Sequence, residues 1–162
     1  MIDSLLVDDI QDYYLTEPAK AIMDTFKLYN FSLTLGIVGN HFGSDASIFD
    51  YVYNNLVYNP EWELEVASHG FNHEDFSTLT YSQQYIAMNA SLAAIRSKLP
   101  IGPIRSFAPP YNNLNYDTIS IAQSLGITHI SAQVGTDYVT PYPMSGTFIY
   151  MVLLVTPRTI FI

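Results

Sequence analysis

The chain has 162 residues, 49% of them apolar and 13% charged, which is typical of one packed globular domain and not of a disordered segment. The net charge of −9, with six lysines and arginines in all, argues against nucleic acid and against a membrane surface as partners, because both need a basic face. The absence of cysteine excludes disulfides and thiolate sites.

The N-terminal part of the sequence predicts two strands separated by a helix. Residues 4–7 (SLLV) are typical of a short buried strand, and no basic start precedes them, so no signal peptide is predicted. Thr16 is the predicted helix cap, and Pro18 lies in the first turn. Residues 31–38 (FSLTLGIV) predict the second strand. The stripe that the helix between them buries is expected at Ala19, Ile22, Phe26 and Tyr29.

The middle of the sequence continues this alternation. Helical spacing of apolar residues recurs over residues 49–56, and residues 62–68 (WELEVAS) alternate apolar and acidic side chains as a third strand does. Thr80 and Gln83 match a capping box at the start of the next helix. The predicted buried stripe of that helix consists of Tyr81, Tyr85, Met88, Leu92, Ile95 and Leu99.

The last part of the sequence predicts one more helix and three more strands. Residues 104–108 (IRSFA) predict the fourth strand, and a helix over about 115–125 is expected to end at Gly126, which suits a left-handed cap. Residues 127–134 and 147–155 predict the fifth and sixth strands. The apolar run in the sixth strand is too short to span a bilayer.

Strands and helices that alternate in this way predict an α/β domain with a parallel sheet, either open or closed into a barrel. Both arrangements place functional loops at the carboxyl ends of the strands. The polar residues that follow the predicted strands are therefore expected to share one rim of the sheet. They are Asp8, Asp9, Asn40, His41, His69, His73, Pro109, Pro110, Tyr111, Asp137 and Tyr138.

His69 and His73 lie four residues apart directly after the third predicted strand. Neutral imidazole is a common ligand of zinc and similar metals, and Asp8 or Asp9 can supply a third ligand if the first and third strands are neighbours. Two histidines and one carboxylate leave a coordination position open, which is the arrangement of catalytic metal sites. The alternative is a pair of surface or hydrogen-bonding histidines without a metal.

Asp8 and Asp9 are adjacent carboxylates, and a solvated pair in a loop is one interpretation of them. In the other interpretation one carboxylate binds metal and the other accepts a proton as general base. Neighbouring side chains in a strand point to opposite sides, so this division of roles needs a turn that brings both acids onto the rim.

Residues 107–113 (FAPPYNN) place two prolines directly after the fourth predicted strand. Prolines stiffen a loop, and a rigid loop can present the backbone N–H of Tyr111 to a developing oxyanion. An ordinary proline turn is the alternative interpretation of this segment.

Taken together, these three segments resemble the polysaccharide deacetylase family, the NodB homology domain of family 4 carbohydrate esterases. That family has an acidic DD motif after its first strand, H-(S/T/G)-x-x-H after its third and a motif such as R-P-P-Y after its fourth. The corresponding segments here read LVDDIQD, SHGFNHEDF and SFAPPYNN, and SLTLGIVGNHFG is similar to the family's second strand. The order and spacing match over about residues 4–135.

The resemblance implies a distorted (β/α) barrel with a divalent metal, usually zinc, and an N-acetylated glycan as substrate. Carried over by position, Asp9, His69 and His73 would hold the metal, and Asp8 would be the base. The backbone N–H of Tyr111 would stabilise the oxyanion while an N-acetyl group is removed from an amino-sugar polymer.

The sequence departs from the family's pattern in several places. Ala108 stands where the family has an arginine that orients the base, and Arg105 is close by in sequence. Asp137 is a poor match to an Asp-Trp-like motif. No histidine matches the family's L-x-x-H general acid, because His41 and His129 lie in other segments.

Two functions follow from this pattern, with the chain as one domain, residues 1–162, that lacks the last strands of the barrel. The first is a metal-dependent N-deacetylase, and the alternative is a degenerate domain that binds glycan or metal without chemistry. A different metallohydrolase with the same three ligands is a further possibility. Rim aromatics could stack on sugar rings or simply pack against the protein, and the candidates are Trp62, Tyr138 and Tyr142.

Overall fold

The computed structural model of the chain describes residues 5–132 and the backbone of residues 149–150. The strands are β1 (Leu5–Ile10), β2 (Leu33–Ile37), β3 (Leu64–Ser68), β4 (Ser106–Phe107), β5 (His129–Ile130) and β6 (Ile149–Tyr150). The α-helices are α1 (Thr16–Leu28), α2 (Ala46–Tyr58), α3 (Tyr81–Lys98) and α4 (Tyr116–Ser124). Short 3₁₀ turns follow three of the strands, at Gly39–His41, Phe76–Thr78 and Pro110–Asn112.

The six strands form one parallel sheet in the order β1-β2-β3-β4-β5-β6. Each crossover leads to the next strand in the same direction, so right-handed connections put all the helices on one face. A doubly wound sheet would reverse its strand order instead. The fold is therefore α/β, as the alternating pattern predicted, and of the distorted (β/α) barrel type that the family resemblance implied.

The core lies between the sheet and the helices. One row of paired residues crosses all six strands, and four of its members, Ile10, Ile37, Phe107 and Ile130, are buried and apolar. The next row across the sheet contains Gly36 and His129 and faces away from the helices. One face of each strand therefore packs in the core, and polar residues can lie at the carboxyl ends of the strands.

The start of α1 differs from the prediction that Thr16 is its cap. Leu15 precedes the helix in a left-handed conformation, with φ 45°, and no side chain caps the helix. The hydroxyl of Thr16 instead donates a hydrogen bond to the Asp45 carboxylate at 3.2 Å. Thr16 lies inside the first turn and ties α1 to the start of α2.

The predicted apolar stripe of α1 is correct only in part. Ala19 and Met23 are buried, whereas Ile22 is 38% exposed and Tyr29 is 64% exposed. Apolar spacing identified the helix, but the face that it buries depends on how α1 packs beside α2 and the sheet.

The capping box of α3 is confirmed, because the Thr80 and Gln83 side chains each bond the other's backbone N–H. The second half of the predicted stripe is buried, but Tyr81 and Tyr85 are 47% and 41% exposed. The first turns of α3 bury the polar Gln84 instead, whose side chain bonds residues of the α4 start. Hydrophobic spacing does not predict a contact of this kind.

The later elements are shorter than predicted. β4 and β5 have two residues each, and of the predicted strand at residues 147–155 only Ile149–Tyr150 are described, paired with β5. Gly126 adopts φ +82° after α4, which confirms its predicted left-handed conformation. No helix in the described part of the chain is both long enough and apolar enough to cross a membrane.

Candidate active site

Three chelating side chains converge at the carboxyl ends of β1 and β3. The Nε2 atom of His73 lies 3.0 Å from Oδ1 of Asp9, and Nε2 of His69 lies 3.6 Å from the same oxygen. One ligand atom from each residue lies within 4.8 Å of the others. Two imidazole nitrogens and a carboxylate oxygen suit a divalent metal such as zinc. These side chains therefore fit one metal ion.

Asp8 and Asp9 lie inside β1, which corrects the prediction that the strand ends at residue 7. Between Val7 and Ile10 the pairing of β1 with β2 shifts register, so a bulge contains both acids. Asp9 adopts φ 57°, a left-handed conformation that is uncommon for a non-glycine residue. Bulges redirect side chains beside functional sites, and this one supplies the change of direction that two adjacent strand residues need to reach one rim.

His69 is buried, with 2% of its surface exposed. Its Nδ1 lies 2.7 Å from the carbonyl oxygen of Ala108. A carbonyl can only accept, so Nδ1 carries the hydrogen and the lone pair of Nε2 faces Asp9. Burial lowers the pKa of His69, while the Ala108 hydrogen bond and the charge of Asp8 oppose this shift. A lowered pKa keeps the imidazole neutral, which is the form that binds metals.

His73 lies at the rim against the ring of Tyr111. The two ring centroids are 4.7 Å apart with an interplanar angle of 70°, an edge-to-face contact. Tyr111 is 63% exposed and adopts φ 59° within the turn Pro110–Asn112. The proline segment thus brings Tyr111 to the histidine pair.

Asp8 is exposed beside the three chelating residues, and Gly36 of β2 lets it approach them. A Cβ placed on Gly36 would lie 3.1 Å from Cα of Asp8 and 3.6 Å from Cβ of His69. A larger residue on the middle strand would separate these two side chains. The glycine inside FSLTLGIV is the sequence signal for such an approach, and sequence reasoning did not use it.

Several other residues considered from the sequence lie away from the site. Arg105 precedes β4 and donates to the carbonyl of Gly126 at 3.2 Å. It therefore lies at the amino ends of the strands, whereas Asp8 lies toward the carboxyl ends. His129, the first residue of β5, also lies at the amino ends. Trp62 is 5% exposed before β3, and its indole N–H donates to a backbone carbonyl, so it offers no sugar platform. Asp137, Tyr138 and Tyr142 lie outside the described residues.

The sequence did not reveal the polar contacts that join the two site loops. Asp75 accepts hydrogen bonds from the hydroxyl of Ser77 at 2.6 Å, from the backbone N–H of Ser77 at 3.0 Å and from Nδ2 of Asn113 at 2.8 Å. The bond from the Ser77 hydroxyl first, and then that from Asn113, lower the pKa of Asp75. They link the segment after His73 to the loop that carries Tyr111. Asp75 lies two residues after His73, and this acid was the sequence signal that could have indicated these contacts.

Comparison with protein families agrees with this arrangement of motifs. The family model described as polysaccharide deacetylase matches residues 4–130. A search of curated proteins finds no significant match.

One similar solved structure is a mutant of BA3943, a CE4 family pseudoenzyme from Bacillus anthracis. Its TM-score is 0.63 and its sequence identity 18%, over 78% of this chain and 42% of the BA3943 chain. The family 4 carbohydrate esterase from Streptomyces lividans, in complex with acetate, has a TM-score of 0.60 and 19% identity over 77% of this chain and 59% of its own. The family 4 acetyl xylan esterase from Clostridium thermocellum, in complex with a cobalt ion, has a TM-score of 0.61 and 17% identity over 80% and 56%. The chain thus spans between 42% and 59% of the lengths of these structures, and the likeness concerns the fold.

Proposed function

Because this chain belongs to the polysaccharide deacetylase family, we propose that it is a metal-dependent hydrolase that removes N-acetyl groups from an amino-sugar polymer or oligomer. We propose further that residues 1–162 belong to a single domain of this family, and the match of the family model to residues 4–130 supports this.

One observation carries the proposal, namely the convergence of Asp9, His69 and His73. A solvated carboxylate pair and two surface histidines would not place three donor atoms within 4.8 Å of one another, with one imidazole 2% exposed and its Nδ1 fixed by a carbonyl. Buried, oriented imidazole is typical of a ligand whose second nitrogen is held by the protein. A divalent metal, for which this donor set favours zinc, would polarise the acetamide carbonyl and activate water when bound.

The other two residues have the roles that the chemistry requires. Asp8 is exposed next to the three ligands and accepts a proton from the attacking water as general base. Tyr111 donates its backbone N–H to the oxyanion in this proposal, and the contact between its ring and that of His73 supports a place for it beside the donor set. Hydrolysis then forms a C–O bond to water, breaks the amide C–N bond and yields acetate and the free amine.

A second function is favoured by the departures from the family's pattern. Ala108 is buried and uncharged where the family has an arginine, and Arg105 bonds Gly126 instead. Among the residues that the structure describes, no guanidinium takes that place to orient Asp8 as a base. A degenerate domain that binds glycan or metal without turnover is consistent with this, and a CE4 pseudoenzyme is among the solved structures with this fold.

Metal binding by the purified chain tests the proposal. We expect about one divalent ion per chain, as three protein ligands imply, and loss of that ion in His69→Ala and His73→Ala. His41→Ala is the matched control, because His41 is exposed in the turn after β2 and is not part of the donor set. Full metal content in both His69→Ala and His73→Ala would refute the site.

A further inference from the structure

We propose that Glu74 positions His73 for metal binding by holding the turn between the two histidines, an inference that rests on the proposed metal site. Oε2 of Glu74 accepts a hydrogen bond from the backbone N–H of Phe71 at 3.0 Å. Oε1 accepts one from Nδ2 of Asn72 at 3.3 Å. The carboxylate thus binds both residues that immediately precede His73.

The space for this carboxylate comes from Gly70. That residue adopts φ +78°, and a Cβ built on it would lie 3.0 Å from Oε2 of Glu74 and 3.2 Å from Cγ of Pro110. A side chain at position 70 would therefore displace the carboxylate or the proline loop. Gly70 and Glu74 act as a pair, since the small residue makes room for the long one.

The outer side of the turn is fixed by other groups. The carbonyl of Gly70 accepts hydrogen bonds from the backbone N–H of Gly39 at 3.0 Å and from the hydroxyl of Ser91 at 2.8 Å. The carbonyl of Phe71 accepts one from the backbone N–H of Asn40 at 2.8 Å. The backbone on either side of the Phe71 peptide is thereby anchored to β2's loop and to α3.

Glu74 adds a further hydrogen bond to the turn, from within the turn itself. Its carboxylate satisfies the Phe71 N–H, which would otherwise lose its acceptor in a partly buried position. His73 itself adopts φ 62°, a conformation that non-glycine residues hold when their surroundings impose it. By fixing the two preceding residues, Glu74 keeps the His73 imidazole directed at Asp9 rather than free to relax toward solvent.

The test compares Glu74→Ala with Glu74→Gln, which keeps an oxygen acceptor but removes the charge. In the metal-free protein we expect faster hydrogen exchange of the Phe71 amide in Glu74→Ala and loss of the NOE between the His73 and Tyr111 rings. Zinc affinity measured by titration should fall about tenfold or more, as for other residues that orient metal ligands. Glu74→Gln should restore the exchange rate, the NOE and most of the affinity.

Glu61→Ala is the matched control, because Glu61 is an exposed glutamate before β3 and should change none of the three readouts. Wild-type values in Glu74→Ala would overturn the proposal, and so would a Glu74→Gln variant as impaired as Glu74→Ala, since charge would then matter rather than the hydrogen bond.

If Glu74→Ala fails to fold, Gly70→Ala provides the second test, because the added Cβ would press on the Glu74 carboxylate. Unchanged Phe71 exchange and zinc affinity in Gly70→Ala would also contradict the proposal.

The metal-free readouts separate this inference from the proposed function. If the wild-type chain binds no metal but Glu74→Ala still loosens the Phe71 amide and the His73 ring, the proposed function fails while Glu74 retains its positioning role. If the wild type binds metal and Glu74→Ala changes neither the turn nor the affinity, the proposed function stands and this inference fails.

Discussion

The carboxylates of Asp8 and Asp9 are neighbours in sequence but have different surroundings. Asp9 lies within 3.0 Å of His73 Nε2 and is part of the donor set, whereas Asp8 is exposed beside it. The bulge in β1 produces this separation, because it turns Asp9 toward the histidines. The two residues can therefore have separate roles although their chemistry is the same.

A pair of isosteric substitutions tests that division. Asp9→Asn should lose the metal, because an amide replaces a charged ligand, while Asp8→Asn should keep the metal and lose any hydrolysis that the wild type shows, because it no longer accepts a proton. Metal content and acetate release are measured for both variants. Asp50→Asn, at an exposed position on α2, is the control. Metal loss in Asp8→Asn with retention in Asp9→Asn would reverse the assignment.

At the scale of elements, α1 and α2 are joined by a hydrogen bond from the phenol of Tyr51 to the Asp24 carboxylate. Burial, followed by this hydrogen bond and the charge of Asp24, raises the pKa of Tyr51 to about 12. The folded state thus favours the protonated phenol more than the unfolded chain does. That contribution to stability is present below the ordinary tyrosine pKa and is lost as the pH rises toward 12.

In Tyr51→Phe, the free energy of unfolding should therefore change less with pH in the alkaline range than it does in the wild type. We expect the urea midpoint of the wild type to fall more than that of Tyr51→Phe between about pH 9 and about pH 11, because the other tyrosines are common to both proteins. Tyr58→Phe is the control on the same helix, since Tyr58 is 72% exposed. Equal slopes for Tyr51→Phe and the wild type would show that the α1–α2 contact does not perturb Tyr51.

At the scale of the whole molecule, Asp8, the candidate metal site and the Tyr111 loop all lie at the carboxyl ends of the described strands. In the same part of the chain, position 108 is an alanine, and the two histidines outside the donor set are His41, in the turn after β2, and His129, at the start of β5. Protonation of the leaving amine therefore has no assigned donor among the described residues. This combination leads to a prediction about activity.

We expect the 162-residue chain to bind metal but to deacetylate chitin oligomers or peptidoglycan fragments weakly or not at all. Loss of a general acid commonly costs about 10²–10⁴-fold in rate. The assay is acetate release with and without a chelator, and a longer parent chain that contains an L-x-x-H histidine should be active. Robust, chelator-sensitive turnover by residues 1–162 would contradict this, and His41→Ala would then be the first variant to test for the missing acid, with His129→Ala as the control at the opposite end of the sheet.

The sequence by itself determined the strand and helix order, the α/β class and the identity of the three motifs, because alternation, capping residues and chelating residue types are local signals. It predicted the α3 capping box and the left-handed Gly126, since each depends on nearby residues. Which face of α1 is buried, and why Tyr81 and Tyr85 are exposed, was decided only by packing between elements.

Tertiary structure also decided how the site is assembled. Three features of the site join strands that are distant in sequence. They are the bulge that directs Asp9, the approach of Asp8 and His69 across Gly36, and the Ala108 carbonyl that fixes His69. The sequence could name the chelating residues, but their roles remain a prediction. Their geometry depends on register and close approach between strands, which residue types alone do not encode.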